Sequence, residues 1–235
     1  MEDQPKFPTT GCSKRDEYGV YTPGIAFFKE LGWTPFPFQK SSWDWYIRGG
    51  DGLVNAPTGS GKTYSVLVPA VLSGGESGGL RVLWITPIRA LAKEIHGSAS
   101  RLLAHSDVDW RCGIRTGDTP SSEKQKQDRR LPEILVTTPE SLHVMLAKKG
   151  AAKRFGGVEA LVVDEWHDLL GNKRGVQMEL AASVLKAHAP NMRIWGISAT
   201  IGNLEEAMHV LMGQDRQAHA RIVRADLEKK IRIES

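Results

Sequence analysis

Residues 56–63 read Ala-Pro-Thr-Gly-Ser-Gly-Lys-Thr and follow the apolar run Gly52–Asn55. Glycines at 59 and 61 let the backbone curl until its N–H groups face one point. A helix opening there adds its own N-terminal donors, so the segment suits an anion with many oxygens. The Lys62 ammonium and the Thr63 hydroxyl complete a set fitted to a triphosphate and its divalent cation. The candidate phosphate contacts are Thr58, Gly59, Ser60, Gly61, Lys62 and Thr63, with Ala56 standing where the common pattern has its first glycine. Further along, Leu161-Val-Val-Asp-Glu-Trp-His167 is an apolar strand ending in two carboxylates. Asp164, at the strand tip, is placed to share a Mg2+ shell, and Glu165 to orient and deprotonate an attacking water. His167 is within reach to couple that pair to a neighbouring segment. Alone, Asp-Glu after a strand is ordinary. Downstream of such a loop, at the strand end where open α/β folds bind ligands, it reads as the other half of one site.

Both segments need strands to hold them and helices to cover the strands. Strand-like runs occur at Gly52–Asn55, Leu80–Thr86, Trp110–Arg115, Ile134–Thr137, Ala160–Asp164 and Met192–Ser198. They are short and mostly apolar at successive positions, as strands buried on both faces are. Helix-like stretches alternate with them at Phe38–Arg48, Gly61–Ser73, Arg89–Ala104, Ser121–Arg130, Glu140–Lys148, Val176–His188 and Leu204–Met212. Thr138 before Pro139, and Asn203 three residues before Glu206, read as helix starts. The alternation predicts an α/β domain, a mostly parallel sheet with helices on both faces. Residues 1–20 read as a polar N-terminal arm and 21–220 as the domain.

Composition agrees with a globular chain. Of 235 residues, 40% are hydrophobic and 25% charged, and the formal net charge is +4. This excludes a largely disordered chain and permits, without requiring, a polyanionic partner. No apolar run approaches the roughly 18 residues that cross a membrane. The opening MEDQPKFPTT has no apolar signal core, and Cys12 and Cys112 show no metal-ligand spacing. A cytoplasmic location with reduced thiols is expected. Most of the seven tryptophans read as core, with Trp33 the exception. The run Glu123–Arg130 reads as a solvated helix face, whereas Lys173 and Arg174 are nucleic-acid candidates.

The motifs resemble those of superfamily 2 helicases. APTGSGKT (56–63), DEWH (164–167) and Ser198-Ala-Thr200 look like motifs I, II and III. Gly32-Trp-Thr-Pro-Phe-Pro-Phe-Gln39 is similar to the Q motif, Thr86-Pro-Ile-Arg-Ala-Leu91 to motif Ia, Thr137-Thr-Pro-Glu-Ser141 to motif Ib, and Arg115-Thr-Gly-Asp118 to the TGD element between them. DEWH followed by Asp168–Gln177 resembles the Lhr subgroup. WTPFPFQ, LWITPIRAL and RTGDT resemble its ligase-associated bacterial branch.

The resemblance implies a RecA-like P-loop NTPase domain that binds ATP and Mg2+ and moves 3′-to-5′ on single-stranded DNA, with a role in DNA repair. It implies that Gln39 hydrogen-bonds the adenine edge and that Lys62, Thr63, Asp164 and Glu165 serve phosphate, metal and water. Ser198 and Thr200 would link the acidic box to the nucleic-acid face. Pro87, Arg89, Gly117, Thr138 and Ser141 would lie along the strand backbone, largely indifferent to base sequence. Residues 221–235 resemble the family's last strand and the start of the linker into its second RecA-like domain; that domain, with its arginine finger, is not among these residues. The chain is therefore expected to hold half of an ATPase site, with weak turnover by itself. An RNA helicase domain, or a nucleotide-dependent nucleic-acid clamp without turnover, is the alternative.

Overall fold

The structure, a computed structural model, describes residues 22–75, 77–199 and 202–226. The expected N-terminal arm, Thr200 and residues 227–235 lie outside the described residues. The chain opens with α1 (Thr22–Glu30) and α2 (Pro37–Ile47), then alternates through β1 (Asp51–Asn55), α3 (Tyr64–Leu72), β2 (Val82–Ile85), α4 (Arg89–Ala104), β3 (Cys112–Arg115), α5 (Ser121–Arg129) and β4 (Ile134–Thr137). It continues with α6 (Pro139–Leu146), α7 (Ala151–Phe155), β5 (Ala160–Val163), α8 (Trp166–Leu169), α9 (Lys173–His188), β6 (Arg193–Ser198), α10 (Leu204–Met212), a 3-10 turn at Gln214–His219 and β7 (Ala220–Arg224).

Among the described residues the strands form one parallel sheet in the order β3-β4-β2-β5-β6-β1-β7. The apolar runs explain it. In a strand, successive side chains leave by opposite faces, so a strand covered on both sides must be apolar at every position. Val162 packs with Trp84, Val54 and the α1–α4 side chains Phe28, Trp43 and Leu102. Its neighbours Leu161 and Val163 pack with Leu53, Ile85 and the opposite layer, through Leu142, Met178 and Leu211. Trp43, Trp84, Trp166 and Trp195 are fully enclosed, while Trp33 is 41% exposed, as its place in the Q-like segment suggested.

Helix α5 does a different job. Gln127 is its one buried side chain among the described residues, and its Nε2 donates to Ile114 O at 3.1 Å. With Thr119 Oγ1, which donates to the same carbonyl at 3.2 Å, it covers the outer edge of β3, which would otherwise offer open hydrogen-bonding groups. Cys112 on that strand is half-buried, and burial pushes its thiol up to about 12.

Several boundaries differ from the expectation for physical reasons. The helix after the phosphate loop starts at Tyr64 rather than Gly61, because Gly61 has φ +73°, outside any right-handed helix. Helix α9 starts at Lys173 rather than Val176, because the Asn172 side chain accepts from the N–H groups of Arg174 and Gly175 and caps it there. Helices α1, α7 and α8 were not anticipated; the last two are 5 and 4 residues long, too short to show a period. The last strand begins at Ala220, one residue before the expected 221, and pairs with β1.

Candidate functional site

Strand order decides which loops meet. β5, β6 and β1 are neighbours, so the segments leaving their carboxyl ends converge: the acidic box after β5, Ser198 at the end of β6, and the phosphate loop after β1. The loop is closed by its own short bonds. Ser60 Oγ donates to Pro57 O at 2.7 Å, and Ala56 N donates to Ser198 O at 3.1 Å. Gly59 (φ +82°) and Gly61 (φ +73°) take backbone angles that side-chain-bearing residues rarely adopt, which is why glycine is needed at both. Thr58 and Gly59 face solvent, Thr63 is half-buried, and Lys62 is only 8% exposed.

Asp164 is buried at the tip of β5. Its Oδ2 accepts from Trp84 Nε1 at 3.3 Å, and its Oδ1 accepts from Glu165 N at 2.9 Å. Burial pushes its carboxyl up to about 6, helped by the neighbouring Glu165 charge and opposed by Lys62 and these hydrogen bonds. Glu165 follows with φ 47° and ψ 45°, the one non-glycine residue at positive φ among the described residues. That conformation costs about 1–3 kcal/mol for such a residue. It ends the strand abruptly and brings Glu165 Oε1 to 2.9 Å from Lys62 Nζ, an ion pair spanning 103 positions with both side chains nearly enclosed.

His167 joins this pair to β6. Its Nδ1 lies 2.9 Å from Ser198 Oγ and 3.3 Å from Glu165 Oε2, and its Nε2 lies 3.3 Å from Asp168 Oδ1. Gln39 reaches the loop from α2. It is 1% exposed, its Oε1 accepts from Phe36 N at 2.8 Å, and its Nε2 donates to Gly61 O at 2.9 Å. The carboxamide therefore fastens the Q-like segment to the phosphate loop.

The other half of the same sheet edge, over β2, β4 and β3, carries a second feature. Pro87 follows β2, Thr138 and Ser141 follow β4, and Gly117 follows β3; with Arg89 they all line one open cleft of about 680 Å³. Thr138 Oγ1 accepts from Ser141 N at 3.4 Å, fixing the start of α6. Arg89 pairs with Asp118 at 2.8 Å. Arg174 pairs with Glu140 at 2.7 Å, and its Nη1 donates to Pro87 O at 3.4 Å. On the floor, Asp128 holds Arg115 at 2.9 Å and Lys148 at 2.7 Å.

The structure thus brings together the expected phosphate-loop and acidic-box residues at one end of the edge, and the five expected strand-track residues at the other. Several pairings in these two features are not legible in the sequence. Trp84 reads as a core position, and nothing local marks its N–H as aimed at a carboxylate. Arg115 and Lys148 are scattered cations whose common partner, Asp128, is visible only in three dimensions. Arg174 was visible in sequence, because it closely follows the acidic box.

A parallel sheet with a phosphate loop after β1 and an acidic pair after β5 defines a RecA-like nucleotide-binding domain. The description "DEAD/DEAH box helicase" matches residues 36–207. The chain belongs to the DEAD/DEAH box helicase family, and its likeness within that family is to Lhr-type helicases. It is 36% identical over 205 residues, 77% of this chain, to the Lhr helicase/uracil glycosylase of Escherichia coli. It is 33% identical over 229 residues, 90% of this chain, to the ATP-dependent helicase Lhr-Core of Methanocaldococcus jannaschii. The solved structure of Mycobacterium smegmatis helicase Lhr bound to ssDNA and AMP-PNP superposes with a TM-score of 0.79 at 30% identity over 88% of this chain. The chain spans 13% and 27% of the lengths of those two relatives and 28% of the solved chain.

Proposed function

We propose that this chain is the first motor domain of an ATP-dependent helicase, binding Mg2+-ATP over β1, β6 and β5 and a single strand of DNA over β2, β4 and β3. One observation carries the reading. The 2.9 Å contact between Lys62 and Glu165 supports it: the lysine of the glycine-rich loop and the second acid of the acidic box meet at the carboxyl edge of the sheet, where a phosphate-binding cation and a water-orienting carboxylate would act together.

The residues divide the work by chemistry. The loop N–H groups from Thr58 to Thr63 and the Lys62 ammonium would bind the phosphates, and Glu165 would hold and deprotonate the attacking water. Asp164 and the Thr63 hydroxyl fit Mg2+: a carboxylate whose own charge is disfavoured by burial gains from a cation, and this ion accepts one or two protein ligands when phosphates and waters complete its shell. When bound, the ion would neutralise charge on the phosphate oxygens. Gln39 would present its remaining N–H toward the adenine while anchored to Gly61 O. Ser198, held by His167, would report the state of the acidic box to the strand cleft, with Thr200 beyond it. Pro87, Arg89, Gly117, Thr138 and Ser141 would contact the strand backbone.

A second RecA-like domain of the longer polypeptide would close over the nucleotide and supply an arginine finger, a contribution worth about 10³–10⁵ in rate. We assign the parent protein 3′-to-5′ movement on DNA and a role in DNA repair, in the cytoplasm. The test is ATP turnover by the full-length parent with matched single-stranded DNA and RNA. Stimulation by DNA, with RNA a poor competitor, is expected. Equal stimulation by RNA would move the assignment to an RNA helicase, and no stimulation by either would remove the motor reading.

A further inference from the structure

The cleft holds more positive charge than its motif residues supply, and most of that charge is already committed. Arg89 is paired with Asp118, Arg174 with Glu140, and both Arg115 and Lys148 with Asp128. Lys124 differs. It sits in the first turns of α5, lines the cleft, and its Nζ donates to Gly117 O at 3.0 Å, with no carboxylate partner among the described residues. Two other cations of its charged run face other acids: Lys126 approaches Glu123 at 3.8 Å and Arg130 approaches Glu133 at 3.7 Å, both away from the cleft. Within the run, Gln127 is buried and Asp128 is on the cleft floor, and Lys124 is the cation that faces the cleft.

We propose that Lys124 is a phosphate contact of the strand track, supplying the cleft with a positive charge that no carboxylate pairs among the described residues. The chemistry is direct. An ammonium has three donors, and one carbonyl satisfies one of them. A phosphate oxygen seated beside Gly117 would take another as a charge-assisted hydrogen bond, with no carboxylate to displace first. At Arg89 and Arg174 a phosphate must compete with an acid 2.7–2.8 Å away. The inference rests on the cleft being the strand site and adds a residue to it that none of the motifs marks.

The experiment is single-stranded DNA binding by fluorescence anisotropy across a salt series, with wild type, Lys124→Ala, Lys124→Gln and Lys124→Arg of this chain. Lys124→Ala is expected to weaken binding about 3- to 10-fold and to reduce the salt slope by about 0.7, the contribution of one phosphate contact on a single strand. Lys124→Arg should restore both, and Lys124→Gln should not. Unchanged affinity and slope in Lys124→Ala would overturn the proposal while leaving the strand site in place. Rescue by Lys124→Gln as complete as by Lys124→Arg would also overturn it, since the residue would then serve only to secure Gly117 O. Wild type that binds no strand at any salt would overturn the strand-site reading itself, and this inference with it.

Discussion

Lys62 Nζ and Glu165 Oε1 lie 2.9 Å apart, so the cation of the phosphate loop and the second acid of the acidic box neutralise each other. A nucleotide's phosphates would compete for Lys62 and release Glu165 toward water. Removing the Glu165 charge should therefore leave nucleotide binding intact, or tighten it a few-fold, while removing the base. Glu165→Gln in the full-length parent is expected to lower turnover about 10²–10⁴-fold. Calorimetric nucleotide titration beside a phosphate-release assay checks both halves, and undiminished turnover would exclude Glu165 as the base.

The backbone at Glu165 makes a separate prediction, about stability. At an ordinary helical position glycine is less stable than alanine by about 0.5–1 kcal/mol. Position 165 has φ 47°, where a Cβ is strained by about 1–2 kcal/mol. Glu165→Gly and Glu165→Ala both lose the ion pair to Lys62, so their difference isolates the backbone. Glu165→Gly is expected to be the more stable by about 1 kcal/mol in urea denaturation. The opposite order would mean that the turn relaxes when the side chain is cut back.

His167 touches both Glu165 and Ser198, and so links the acidic box to the end of β6. His167→Ala would leave the phosphate loop and both acids in place but free the buried Ser198 hydroxyl. In the full-length parent, strand stimulation of ATP turnover should fall about tenfold or more, while unstimulated turnover changes far less. Equal loss of stimulated and unstimulated rates would assign His167 to the chemistry rather than to coupling.

Asp128 gives the cleft floor a pH dependence of known sign. Partial burial pushes its carboxyl up, but the hydrogen bonds and charges of Lys148 and Arg115 outweigh that and hold it below the ordinary value of 3.8. With the folded state the stronger acid, its stabilisation is complete above 3.8. It is lost as pH falls from there through the folded-state value. Asp128→Asn should cost about 1–2 kcal/mol at pH 7, the scale of one charged hydrogen bond partly open to solvent. The gap between variant and wild type should narrow in thermal melts taken toward pH 3. A gap that stays constant with pH would mean the Asp128 contacts do not depend on its charge.

The sheet was legible because a strand buried on both faces has little freedom of composition: Leu161-Val-Val and Ile134-Leu-Val can hardly be anything else in this context. The phosphate loop and acidic box were legible because their chemistry fixes residue type and spacing within one short segment. What depends on two segments meeting was not. Trp84 and Asp164 touch only because β2 lies beside β5, and Arg115 and Lys148 share Asp128 only because α5 folds over the edge of β3. Lys124 was hidden for a related reason. In EKQKQDRR the polar pattern says that the helix is solvated, and only the path of β3 says that one lysine of it faces Gly117. Helix α1 was missed because Thr-Pro-Gly opens it, a sequence that also suits a loop.

The most direct test of the account is Mg2+-ATP affinity, measured by titration of a fluorescent ATP analogue into wild-type chain and into Lys62→Ala. Saturable binding to wild type and at least a tenfold loss in Lys62→Ala are expected, because the loop then keeps its N–H groups but loses its ammonium. Equal affinity in the two proteins would contradict this assignment, and would mean that the nucleotide does not bind at Lys62 and Glu165.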